Sequence, residues 1–305
     1  MVDRLNNAEK VGMVKGFTEA FDRLEDYLNI KKWREIMNTV ISKDGTKIAY
    51  EKQGNGPAVI LVSSAAADHK DAEQLAVQLA KHFTVYNYDR RGRGQSTDAS
   101  QYAVKREIED IDALINEAGG NIILFGSSSG AVLALEAASK LGNRITKLFM
   151  YEPPFIIDDS RPPVPTEYVE HLNKLIKEDR RSDAVEYFMS KALRIPLEFL
   201  EHMKADPSWK SMENLAHTLA YDGMIMGETQ LGKPLPTERW DVNIPVTIMI
   251  GENSEPYFHK AAKALVDLLP LAKYETLPGQ DHSAVIMAPE KLAKAIVKFS
   301  NSHQK

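Results

Sequence analysis

The sequence contains no cysteine in its 305 residues. That excludes disulfides, thiolate nucleophiles and cysteine-ligated metals. It also lacks any apolar run near the roughly eighteen residues that a membrane-spanning helix needs. No His-Glu-x-x-His pair or carboxylate cluster suggests a metal, and no dinucleotide pattern follows its glycine turns, so no cofactor is expected. Cationic excess is missing too: 38 Lys and Arg against 43 Asp and Glu leave a formal charge of -5. That balance argues against a nucleic-acid or anionic-membrane partner. The first residues carry Asp3, Glu9, Glu19 and Asp22 rather than a basic-then-apolar leader. The expected location is therefore cytoplasmic. With 43% apolar residues the chain can bury one large α/β core with an insertion, or two domains.

What is present centres on Asn121-Ile-Ile-Leu-Phe-Gly-Ser-Ser-Ser-Gly130. Ile122 to Phe125 read as a buried strand, and Ala131 to Lys140 as a helix. Between them stands Gly126-x-Ser128-x-Gly130, the pattern of a nucleophile elbow. A serine in such a turn needs a strained backbone, which is tolerable only where the residues two before and two after lack bulk. Its hydroxyl then stands beside a helix N-terminus, whose amides favour developing negative charge. Ser128 is the expected nucleophile.

Before residue 41 the pattern is helical. Val14, Phe17, Phe21, Leu24 and Leu28 recur at steps of three and four, one stripe on a helix from about 8 to 30. Lys31 to Val40 continue as a second short helix, with Trp33, Ile36 and Met37 on one side. Residues 1–40 are read as an N-terminal helical extension, packed on the body or serving as a homodimerisation arm.

From Ile41 strands and helices alternate. Lys47–Glu51 follows an Asp44-Gly45 turn, and Ala58–Val62 is a buried run. Glu73 to Phe83 is an amphipathic helix, Thr84–Tyr88 a strand, and Val104 to Ala118 a helix. Ile145–Met150, Val246–Ile250 and Lys273–Leu277 are further strands, and Pro289 to Ser300 is a last helix. Such alternation predicts a doubly wound, mostly parallel sheet with its site at the carboxyl edge. Residues 155–240 break the pattern. A proline-rich link, Asp158 to Pro165, leads to helices at about 166–178, 182–193, 197–204 and 208–224. They are expected as a helical cap on a core of 41–154 and 241–305. Tyr221, Asp222 and Trp240 are candidates to face a pocket.

The buried strand, Tyr88-Asp-Arg-Arg-Gly-Arg-Gly-Gln-Ser96 and the elbow together resemble the α/β-hydrolase superfamily over roughly residues 41 to 300. The arginines of the Tyr88–Ser96 turn are expected to be structural or a solvated rim. The resemblance implies a base in the loop after the last strand, which is His282 in Pro278-Gly-Gln-Asp-His282. It places one oxyanion amide near Ser64 or Ala65, where Ser63-Ser-Ala-Ala-Ala67 replaces the common His-Gly, and the other at Ser129. The usual position of the acid is Ser254, in Gly251-Glu-Asn-Ser-Glu255, and serine carries no charge to stabilise an imidazolium. Glu255 or Glu252 is one substitute. Glu152, in Tyr151-Glu-Pro-Pro154 after the preceding strand, is the better placed, as in the lactonases that this sequence is similar to. The resemblance thus implies a serine hydrolase for a hydrophobic ester or lactone, with a triad of Ser128, His282 and Glu152. Cofactor-free haloperoxidase chemistry, C–C hydrolysis and a non-catalytic binding protein are the alternatives.

Overall fold

The computed structural model describes residues 37–301. Among the described residues, eight strands form one sheet in the order β1-β2-β4-β3-β5-β6-β7-β8. They are β1 (Asn38–Ile41), β2 (Lys47–Gln53), β3 (Ala58–Val62), β4 (Thr84–Tyr88), β5 (Ile122–Ser127), β6 (Ile145–Tyr151), β7 (Val246–Gly251) and β8 (Ala272–Leu277). Only β1 with β2 and β2 with β4 pair antiparallel; every other pairing is parallel. The β1–β2 hairpin turns at Gly45, whose backbone is left-handed, with Asp44 accepting from the Thr46 amide.

The central strands β3, β5 and β7 are buried on both faces, as their apolar runs require. Ile60 and Val62 of β3 pack on one side with Leu124, against α2 (Val104–Glu117), α3 (Ser129–Leu141) and α9 (Pro256–Leu268). Val59 and Leu61 point the other way with Phe125 and Phe149, onto α1 (Glu73–Leu79) and α11 (Pro289–Asn301). This period of two is the pleat read directly from the sequence. Each of these side chains, fully buried, contributes roughly 1.5–3 kcal/mol.

Between β6 and β7 the chain forms the insert, α4 (Tyr168–Lys177), α5 (Arg181–Lys191), α6 (Leu197–Met203), α7 (Pro207–Leu215) and α8 (Leu219–Met226). Leu172, Leu175, Val185, Phe188 and Met189 are all buried and join the main core. Phe155 and Trp240 pack at a tilt with ring centroids 5.6 Å apart, which brings the entry and exit of the insert together. Among the described residues, no helix is long and apolar enough to cross a membrane.

Three expectations need correction. Lys31 to Val40 is not one helix, because Asn38–Val40 lies in β1, where Thr39 and Val40 pair with Ala49 and Ile48. Its β-branched residues suit a strand, and the edge of β2 supplies the partner. Residues 1–36, including the stripe from Val14 to Leu28 and the dimerisation reading, lie outside the described residues. The helix expected over 208–224 is two helices, divided by a tight turn at Ala216–Thr218 where the Thr218 hydroxyl donates to the Leu215 carbonyl. Helix α1 stops at Leu79, short of Phe83. Helix α9 was not expected at all; its signal is Pro256 at the first turn followed by apolar Phe258, Ala261, Ala262 and Leu265.

Candidate active site

The carboxyl ends of β5 to β8 gather the predicted residues. Register places Ser127 opposite Tyr151 and Tyr151 opposite Met249. Ser128 and Glu152 therefore leave neighbouring strands at the same level. Gly251 pairs with Leu277, so the loop carrying His282 starts one strand further along.

Ser128 has φ 53° and ψ -127°, a conformation that costs an ordinary residue roughly 1–3 kcal/mol. It is held by its amide on the Tyr151 carbonyl at 2.8 Å and by its carbonyl on the Ala131 amide at 2.9 Å. The two flanking glycines answer a close backbone approach. A Cβ on Gly126 would lie 2.3 Å from the Gly130 carbonyl oxygen, and one on Gly130 would lie 2.4 Å from that of Ser63. Ser127 and Ser129 are buried while Ser128 keeps access to solvent.

Glu152 is wholly buried and also has a left-handed backbone, at φ 50°. Its Oε2 lies 2.7 Å from His282 Nδ1. Its Oε1 accepts from the Gly251 amide at 2.7 Å and from the Ser254 hydroxyl. Ser254, at the usual acid position, thus supports the displaced carboxylate. The His282 ring stacks on Phe258 at 4.9 Å, and the Tyr151 hydroxyl donates to the carbonyl of Asp281 just before it. These contacts fix the imidazole with Nδ1 toward Glu152, leaving Nε2 as its second nitrogen. The alternative acids lie elsewhere. Glu255 is half exposed and takes Arg161 Nη1 at 2.6 Å, and Glu252 accepts from the Gly279 amide.

The loop expected to supply an oxyanion amide, Ser63 to Ala67, lies against the start of α3. Arg90 Nη1 donates to the Ser63 carbonyl at 3.2 Å, and Arg93 Nη1 donates to those of Ser64 and Ala67. The arginines of the Tyr88–Ser96 turn are fully buried, so the solvated-rim reading is set aside. Arg90 forks onto Glu107 with both bonds at 2.7 Å, and Arg91 onto Asp110 at 2.8 and 2.7 Å. Burial works against the Arg90 charge, but the carboxylates of Asp222 and Glu107 more than offset it and hold that guanidinium well above its ordinary range.

Of the three pocket candidates, Trp240 is a packing residue whose indole donates to Glu136. Tyr221 stacks on Tyr102 with centroids 3.8 Å apart and donates to Asp98. Asp222 is buried and binds Arg90, Arg93 and Ser129. The link between the arginine turn and the insert has no sequence signal, since 129 positions separate Arg93 from Asp222. Asp68, His69 and Asp89 bring ligand atoms within 4.8 Å of one another. There His69 Nδ1 is already bound to Asp89 at 2.7 Å, and the same carboxylate takes the amides of His69 and Gln95.

The model of the alpha/beta hydrolase family matches residues 59–295. An alpha/beta hydrolase from Sphaerobacter thermophilus DSM 20745 is 45% identical, with a TM-score of 0.79 over 87% of this chain and 100% of that one. An esterase from Thermogutta terrifontis, 19% identical with a TM-score of 0.60 over 87% of this chain and 98% of that one, shares the fold. Among curated proteins, the uncharacterized hydrolase YraK of Bacillus subtilis (strain 168) is 32% identical over 122 residues, 39% of this chain and 45% of the relative. The matched stretches span less than half the length of the curated relatives.

Proposed function

Because this chain belongs to the alpha/beta hydrolase family, we propose that it is a serine hydrolase that cleaves a carboxylic ester or a lactone. The observation that carries the reading is the bond of 2.7 Å between buried Glu152 and His282, at the sheet edge where strained Ser128 emerges.

In this reading Ser128 Oγ attacks the substrate carbonyl as its proton passes to His282 Nε2. Glu152 accepts a hydrogen bond from Nδ1–H and stabilises the imidazolium. The amides of Ser64 or Ala65 and of Ser129 bind the carbonyl oxygen as it becomes negative. The tetrahedral species collapses, and the imidazolium gives its proton to the departing alkoxide. An ester then releases its alcohol, while a lactone keeps the new hydroxyl tethered to the acyl group. Water attacks the acyl-enzyme, His282 takes its proton, and collapse returns that proton to Ser128. Helices α4 to α8 act as a lid that excludes water and contacts the acyl chain.

The test is turnover of p-nitrophenyl acetate, butyrate and octanoate, and of a medium-chain lactone, by the parent and by Ser128→Ala, His282→Ala, Glu152→Gln and Glu255→Gln. Loss with the first three and not with Glu255→Gln is the expected result. A parent with no turnover of these substrates and no fluorophosphonate labelling of Ser128 would sink the reading in favour of a binding protein.

A further inference from the structure

The insert reaches under the site through one side chain. Asp222, on α8, is buried with three donors on its carboxylate. Oδ1 accepts from the Ser129 hydroxyl at 2.8 Å and from Arg90 Nη1 at 2.8 Å, and Oδ2 accepts from Arg93 Nη2 at 2.6 Å. Glu107 completes the cluster, bound by Arg90 and by the Tyr102 hydroxyl. Two guanidiniums thus meet two carboxylates and no net charge is buried. Such a cluster is weak evidence for stability, because well-packed apolar residues often serve as well. What it supplies is fixed geometry.

The groups it fixes are those on which the oxyanion depends. Ser129 follows the proposed nucleophile and carries one expected amide. Its own hydroxyl is tied to Asp222. The other arm is set through peptide planarity. No peptide among the described residues is cis, so each N–H points opposite to the carbonyl of the residue before it. Arg90 holds the Ser63 carbonyl, so the Ser64 amide points away from Arg90. Arg93 holds the Ser64 carbonyl, so the Ala65 amide points away from Arg93. Both guanidiniums are themselves held by Asp222. One carboxylate of the insert therefore constrains the residue after the elbow and the two candidate amides of the facing loop.

We propose that Asp222 is a positioning residue that sets both arms of the oxyanion hole, so that the hole is complete only while α8 is docked on the core. The inference rests on the serine-hydrolase reading above. It has a corollary for the lid. Helix α8 is the anchored part of the insert, and any opening must come from the helices before it.

The experiment compares Ser129→Ala, which removes a single bond to Asp222, with Asp222→Asn, which keeps the shape and removes the charge. Each is assayed with p-nitrophenyl butyrate and with 3-octylthio-1,1,1-trifluoropropan-2-one, a ketone whose serine adduct carries an oxyanion. Active sites are counted by fluorophosphonate labelling so that unfolded protein does not enter kcat. Ser129→Ala should lower kcat about tenfold and Asp222→Asn more, with KM within about threefold and ketone affinity weakened in step with kcat. Folded variants that keep the parent's kcat and ketone affinity would overturn the proposal, whatever happens to the melting temperature. If Asp222→Asn does not fold, Ser129→Ala decides alone. A parent without esterase activity, or an active Ser128→Ala, removes the hydrolase reading and this inference with it. An active parent and a dead Ser128→Ala beside unaffected Ser129→Ala and Asp222→Asn removes this inference only.

Discussion

Two buried carboxylates flank the elbow, and they are held in opposite ways. Glu152 is held by neutral donors, the Gly251 amide and the Ser254 hydroxyl, and by His282. Asp222 is held by two guanidiniums and a serine hydroxyl. Burial pushes the Asp222 carboxyl up, but Arg90 and Arg93 more than offset it and keep the group below its ordinary range. The Asp222 charge is thus already neutralised, and it has only geometry to offer. The neutral donors on Glu152 hold it in place without cancelling its charge, which is what a partner for a transient imidazolium requires. The difference teaches that a buried carboxylate near a site is assigned by the charge of its partners, not by its burial.

The largest effect should come from the proposed acid. Glu152→Gln keeps the shape and removes the charge, and kcat for p-nitrophenyl butyrate should fall about 10³- to 10⁴-fold. A loss no larger than that of Asp222→Asn would make Glu152 a positioning group like Asp222 and break the comparison. Adding Ser254→Asp to that variant returns a charge to the usual position, and partial recovery would sharpen it.

The next effect falls on stability rather than rate. Arg90→Met leaves Glu107 and Asp222 short of a buried cation, which should cost about 3–5 kcal/mol in urea unfolding. Glu152→Gln, whose neutral donors lose no charge partner, should cost much less. If the two variants unfold alike, the arginine cluster does not differ in kind from the acid side.

How far these roles could be read from sequence depends on how local their causes are. The elbow was legible because its sterics lie within five residues, Gly126 to Gly130. The parallel strands were legible because β3 and the Ile122–Phe125 run of β5 are apolar throughout. Glu152 was reached through the absence of an acid at position 254 and the resemblance to lactonases with an acid after the preceding strand, and no local pattern shows Ser254 turning toward it. The arginine turn was visible but its partner was not, because α2 supplies Glu107 and α8 supplies Asp222. Long-range charge pairing leaves no periodic trace. Helix α9 is less legible for another reason, since its N-cap, Glu255, makes no side-chain capping bond and only Pro256 marks its start.

A smaller effect tests how much the neutral donors matter. Ser254→Ala removes one of the two supports on Glu152 Oε1 and leaves the Gly251 amide. A hydrogen bond to a charged group is worth roughly 1.5–3 kcal/mol, part of which water can replace at a partly exposed loop. The expected loss in kcat is about tenfold, with KM little changed. A loss as large as that of Glu152→Gln would mean that Ser254 does more than hold the carboxylate.

The smallest effect concerns a second carboxylate–histidine pair, one outside the proposed triad. His69 Nδ1 lies 2.7 Å from Asp89, with Glu51 at 3.9 Å and Asp68 beside it. Burial opposes protonation of His69, but the hydrogen bond and charge of Asp89 prevail and raise its pKa. A histidine raised on folding binds its proton more tightly in the native state. The stability it adds is full below the unfolded value of about 6.5 and is lost as pH rises through the folded one. The parent should therefore lose stability as pH rises above about 6.5 that His69→Gln does not lose, read from urea melts on either side of that value. Parallel pH curves for the two proteins would mean that Asp89 is satisfied by the His69 and Gln95 amides alone. The pair would then resemble Asp222, a carboxylate fixed by its donors and indifferent to the proton on its neighbour.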